Sequence, residues 1–145
     1  MQVAPAQRFK LKEHPLWSRV RHMGEGVYIS DMCRVRGRLG AIEIGDHARL
    51  HDFVCIQTDS ELKIGRAAYV FHHAIIAAHV PVIICAGARI GGHAQILSGT
   101  HIEGEFVTGP IVIGTGACIG PGAVIFPGVS IDANAQVAPN AVLGI

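Results

Sequence analysis

An aliphatic residue recurs at every sixth position along most of this chain, usually with a small residue four places later. The clearest run carries Ile113, Ile119, Ile125, Ile131, Val137 and Leu143, with Ala117, Ala123 and Ala135 among the small partners. A helix repeats every 3.6 residues and a strand every two, so a period of six calls for a short strand plus a turn, repeated as a solenoid. Three units close one triangular coil. The aliphatic residue points into the prism and the small residue lets the chain turn the corner. Upstream the register continues through Ile44, Leu50 and Ile56, then Ile64, Val70 and Ile76, then Ile84, Ile90 and Ile96, which sets those coils at twenty residues against eighteen near the C-terminus. The extra residues, around Leu62-Lys63 and Val82-Ile83, fit at a corner, where added loop length costs little.

Composition supports an apolar prism with outer faces that need covering: 50% of residues are hydrophobic and 16% charged. The net charge of +1 gives no general drive toward nucleic acid or an anionic membrane. At 145 residues one domain is expected. The longest apolar region, Ala74 to Ala88, is broken by His79 and Pro81 and falls short of the roughly 18 residues a membrane helix needs. The N-terminal residues lack the apolar core of a signal peptide, which makes the cytoplasm the expected compartment. Cys33, Cys55, Cys85 and Cys118 form no CxxC pair and read as reduced, small packing residues.

Residues 1–26 lie outside the repeat and carry Arg8, Lys10, Lys12, Arg19 and Arg21 around Phe9, Leu11, Leu16 and Trp17. They read as a cap that keeps the open end of the solenoid from pairing with another chain. An alternative role is to wall a substrate pocket or grip a phosphate. The repeat domain then runs over 27–145. Its one interruption, residues 102–110, breaks the period and should leave the prism as a loop, the kind of place where function concentrates on a rigid scaffold.

Ser98-Gly99-Thr100-His101, the loop, and the restart Gly-Pro-Ile-Val-Ile-Gly at 109–114 resemble the hexapeptide acyltransferases of the sugar and antibiotic O-acetyltransferase type. The likeness spans Val27 to Ile145. It implies an all-β, left-handed parallel β-helix acting as a homotrimer, with acetyl-coenzyme A as donor, no metal, and a sugar or similar small polar acceptor acylated on a hydroxyl or an amine. By the same resemblance His101 is the catalytic base. The chemistry agrees: the thioester is already activated, so direct attack needs only a group to take the acceptor's proton, and imidazole suits that near neutral pH. Glu103 or a backbone carbonyl would orient the ring, and backbone N–H groups would steady the oxyanion.

Counting by twenty stacks Asp59, His79 and Gly99 in one column, Phe53, His73 and His93 in a second, and Asp52, His72 and Gly92 in a third. This places His79 one coil below the His101 corner. The family usually has an acid where Ala78 stands and polar groups where Phe71 and His73 stand. The resemblance therefore assigns acceptor contacts to His79, Phe71 and His73, with an acceptor unlike a simple thiogalactoside or maltose. It assigns the coenzyme A groove to Gly120, Pro121, Ala138 and Pro139. Two departures bear on that groove: Cys118 stands where relatives often have tryptophan, and the basic, proline-containing tail expected after Ile145 is missing, which points to a truncated form or reduced cofactor affinity.

Two other readings fit the repeat. The γ-class carbonic anhydrases share the fold and bind zinc through three histidines, two from one subunit in a GHxxxxH-like spacing and one from a neighbour; Gly92-His93 begins such a motif, but Ser98 stands five places after His93, which leaves a site built from His72, His73, His79, His93 and His101 across a trimer interface as the zinc reading. The second is a trimeric binding or scaffold module without catalysis.

Overall fold

The computed structural model describes residues 17–145, so the basic segment at 1–16 lies outside the described residues. The chain winds as a parallel β-solenoid, the fold class expected from the repeat. Three six-stranded parallel sheets form the prism sides. The first contains β1 (His22–Met23), β4 (Ile42–Ile44), β7 (Leu62–Ile64), β10 (Val82–Ile84), β15 (Ile111–Ile113) and β18 (Ser130–Ile131). The second contains β2 (Tyr28–Ile29), β5 (Arg49–Leu50), β8 (Tyr69–Val70), β11 (Arg89–Ile90), β16 (Cys118–Ile119) and β19 (Gln136–Val137). The third contains β3 (Arg34–Gly37), β6 (Cys55–Thr58), β9 (Ile75–Ala78), β12 (Gln95–Leu97), β17 (Val124–Ile125) and β20 (Val142–Leu143).

The register follows the hydrophobic period. Ile44 pairs with Ile64 and Ile64 with Ile84, each twenty residues on, whereas Ile113 pairs with Ile131, eighteen residues on. Every side chain in these aliphatic ladders meets its equivalent one coil away. Ile44, Leu50, Ile76, Ile84, Ile90, Ile96, Ile113 and Ile125 are fully buried, each contributing about 1.5–3 kcal/mol of hydrophobic stabilisation. Ala48, Ala68, Ala88 and Ala117 line one inner corner with no exposed surface. At the next corner successive coils approach backbone to backbone: a Cβ on Gly91 would lie 2.5 Å from the Pro121 nitrogen, a distance only glycine tolerates.

Two boundaries differ from the sequence reading. Parallel stacking already begins at His22–Met23, which pair with Glu43 and Ile44, so the solenoid reaches into the segment read as a cap. The apolar six-residue spacing does reach it, through Met23, Ile29 and Val35, and Trp17 is buried in the apolar cluster just before it. Second, the break in the period is not an irregular loop. β13 (Gly99–Ile102) and β14 (Glu105–Thr108) form an antiparallel hairpin that projects from a prism corner and returns to start β15. Among the described residues no helix is long and apolar enough to cross a membrane.

Candidate functional site

The hairpin corner gathers the strongest chemistry. Ser98 anchors the hairpin: it is fully buried, its backbone N–H donates to the Ala77 carbonyl at 3.0 Å, and its carbonyl accepts from Gly109 N–H at 2.9 Å. Its hydroxyl donates to the Val80 carbonyl at 2.8 Å and accepts the Val80 N–H at 3.1 Å. Two chain crossings separated by the whole hairpin are thereby tied to the turn that carries His79. Antiparallel pairing then sets His101 directly opposite Phe106, and their rings approach to 5.0 Å between centroids. The same phenyl ring meets His79 in a T-shaped contact, at 5.1 Å and 90°. Phe106 thus stands between two imidazoles.

The two histidines are held differently. His79 Nδ1 donates to Oδ2 of Asp59 at 2.9 Å, one coil away in the column counted from the sequence. This contact at the protein surface fixes which ring nitrogen faces outward. His101 is exposed, and among the described residues its ring contact is Phe106 rather than Glu103 or a carbonyl. Gly99 completes the column: a Cβ there would meet the His79 Cβ at 2.7 Å, so glycine leaves the space that the His79 side chain occupies. Ala78, where the resemblance expects an acid, is fully buried and faces the prism interior. The acid beside His79 is Asp59 instead.

The other expected residues lie elsewhere in the chain. Phe71 and His73 flank the turn before β9, whereas His79 follows β9, so they occupy different prism corners, separated by about 13 Å of strand. Phe71 stacks on His51 at 5.4 Å and 14° and faces neither His79 nor His101 in this chain. His73 stacks between Phe53, at 5.0 Å, and His93, at 4.7 Å. Gly120, Pro121, Ala138 and Pro139 continue that second corner through the last coils, with Gly120 N–H donating to Val137 O and Asn140 N–H to Pro121 O. Cys118 forms part of β16 beside Gln136.

Ser98, five residues after His93, turns into the protein and is used up in backbone contacts, so it supplies no counterpart of the γ-class second histidine. Phe106 was not singled out from the sequence. Its only signal there was a large apolar residue within a polar interruption.

No family model and no curated protein matches this chain. Solved structures share its fold, a parallel β-helix built from hexapeptide repeats. A point variant of AntD, an N-acyltransferase from Bacillus cereus solved with dTDP-4-amino-4,6-dideoxyglucose and coenzyme A, superposes with a TM-score of 0.85 at 18% identity, covering 94% of this chain and 79% of AntD. A variant of perosamine N-acetyltransferase from Caulobacter crescentus, solved with coenzyme A and GDP-perosamine, gives 0.63 at 19% identity, covering 81% of this chain and 48% of that enzyme. The CcmM N-terminal domain in complex with CcmN gives 0.51 at 20% identity, covering 87% of this chain and 99% of that domain. At these identities the common ground is the fold.

Proposed function

We propose that this chain transfers an acetyl or related acyl group from coenzyme A to an amino group on a nucleotide-linked sugar. The observation that carries this reading is the cluster that Phe106 and His101, on an extruded hairpin, make with His79 and Asp59 at the prism corner beneath it. An amine acceptor replaces the hydroxyl favoured by the sequence reading because the two acyltransferase neighbours are N-acyltransferases holding amino-sugar nucleotides.

In the proposed mechanism the amine attacks the thioester carbonyl, the carbonyl oxygen becomes an oxyanion, and the nitrogen must lose a proton before the thiolate leaves. His101 accepts that proton, a role worth about 10²–10⁴-fold. His79, its tautomer set by Asp59, accepts a hydrogen bond from the acceptor, and Phe106 packs against both rings and holds their spacing. Gly120, Pro121, Ala138 and Pro139 border the groove for the pantetheine arm. Because this edge and the His101 corner are different corners of one prism, a complete site takes one from each of two chains, which a homotrimer with sites between subunits supplies.

The test is thiol release from acetyl-coenzyme A with amino-sugar nucleotides, their hydroxy counterparts and simple sugars as acceptors. Release that needs the amino sugar and falls at least about 10²-fold in His101→Ala supports the assignment. Release equal with hydroxy acceptors moves it to O-acylation. No release with any acceptor favours the binding-module reading, for which the resemblance to a CcmM domain solved with a protein partner supplies a precedent of fold.

A further inference from the structure

A second cluster lies away from the hairpin, where β8 turns into β9 and β11 into β12. His72, His73 and His93 are exposed there, and one nitrogen of each lies within 4.8 Å of the others. The rings of His73 and His93 stack face to face at 4.7 Å and 3°, and His72 stands perpendicular to both, at 5.5 Å and 5.7 Å.

The backbone sets this convergence. His73 and His93 both adopt the left-handed conformation, with φ of 62° and 61°. Later coils fill the same corner position with Gly122 and Asn140, residues suited to that conformation. Phe53 holds the same conformation one coil earlier, with φ of 63°, so the left-handed corner belongs to the repeat itself, and it stacks the side chains of His73 and His93 in one column. Gly92 contributes by lacking a side chain: a Cβ on it would sit 3.2 Å from His72 Nε2, in the space the imidazole uses. Main-chain bonds from His73 N–H to Asp52 O and from His93 N–H to His72 O, both 3.1 Å, hold the ligand backbones in place.

We propose that His72, His73 and His93 form a binding site for a zinc-type transition cation, assembled within a single chain. Imidazole donors suit zinc, copper and nickel rather than magnesium or calcium, which take oxygen ligands. Tetrahedral coordination at about 2.0–2.1 Å needs nitrogens roughly 3.4 Å apart. The exposed rings reach that by turning out of their stack about their side-chain torsions, with no change of backbone, and water fills the fourth position. The site differs from the γ-class arrangement in drawing all three histidines from one chain, and it is independent of the acyl-transfer reading.

The test is titration of the full-length protein with zinc by calorimetry and with cobalt by visible absorption, alongside His72→Asn, His73→Asn and His93→Asn. Asparagine is chosen because the same corner accepts it at Asn140, so the fold is kept, as circular dichroism would verify. The expected result is one zinc per chain and a tetrahedral cobalt spectrum. Loss of even an outer-shell partner typically costs about 10–100-fold in metal affinity, so each substitution should weaken binding at least about tenfold. His79→Ala and His101→Ala should bind as the unmodified protein does. Absence of stoichiometric binding, or binding that survives His93→Asn with the fold intact, would overturn the proposal.

Discussion

His79 and Asp59 are joined across one coil, Nδ1 to Oδ2 at 2.9 Å, by a contact whose two ends are twenty residues apart in sequence. The carboxylate accepts from Nδ1, so Nε2 is left as the ring nitrogen free of Asp59. Asp59→Asn replaces a charged acceptor with an amide that either donates or accepts, and so releases the tautomer. With His79 as an acceptor-binding group, the substitution should raise KM for the sugar nucleotide about tenfold or more and leave kcat within a fewfold, since losing one charged hydrogen bond costs about 1.5–3 kcal/mol. Initial-rate kinetics would check this. A collapse of kcat with KM unchanged would instead make His79 the proton acceptor.

Phe106 offers a second check, because its position separates function from stability. It is 50% exposed and lies on the projecting hairpin, outside the aliphatic core. Phe106→Ala should therefore shift Tm by no more than a few degrees, in contrast to the 3–5 kcal/mol typical of a buried phenylalanine. It removes the ring that touches both His79 and His101, so acyl transfer should fall about tenfold or more while folding is kept, the order expected when positioning is loosened. Parallel melting curves and thiol-release rates would decide.

The prism was legible because burial is periodic: an aliphatic residue displaced by one place would point outward, so the six-residue spacing fixes both the element and its register. The same count gave the Asp59–His79–Gly99 column and the Phe53–His73–His93 column, both of which the structure contains. It also held a warning that the family resemblance obscured. His73 and His79 are six residues apart, one full prism side, so a single chain places them at different corners. What the period does not carry is the hairpin. The pairing of His101 with Phe106 depends on antiparallel hydrogen bonds within an aperiodic segment, and no neighbouring coil repeats it.

Cys33 should behave as a masked thiol. Burial pushes it up to about 12, and its S–H donates to the His51 carbonyl at 2.9 Å. The thiolate is the reactive form, so at pH 8 almost none of Cys33 is available to an alkylating reagent in the folded protein. Peptide mapping after brief iodoacetamide treatment should find Cys33 unmodified, and fully modified once the chain is unfolded in denaturant. Rapid native labelling at Cys33 would mean that the first coils open readily.

His51 supplies the pH prediction. Its ring is packed among Tyr28, Tyr69 and Phe71, and among the described residues its buried Nε2 has no hydrogen-bond partner. Desolvation first, then the positive charges of Arg49 and His72, hold its imidazole below the ordinary histidine value, with Asp52 opposing. The unfolded chain therefore binds a proton at this site near pH 6.5, while the folded chain resists it until lower pH. Above that pH both states are neutral here and the site is silent. As pH falls through about 6.5 toward the folded value, the unfolded state is favoured and stability drops. His51→Phe keeps a flat ring against Phe71, removes the unpaired nitrogen and cannot titrate. Its Tm at pH 7.5 should equal or exceed that of the unmodified protein, and its loss of Tm between pH 7 and 5.5 should be smaller. Equal acid slopes for the two proteins would show that other groups carry the pH dependence and that His51 charges without cost to the fold.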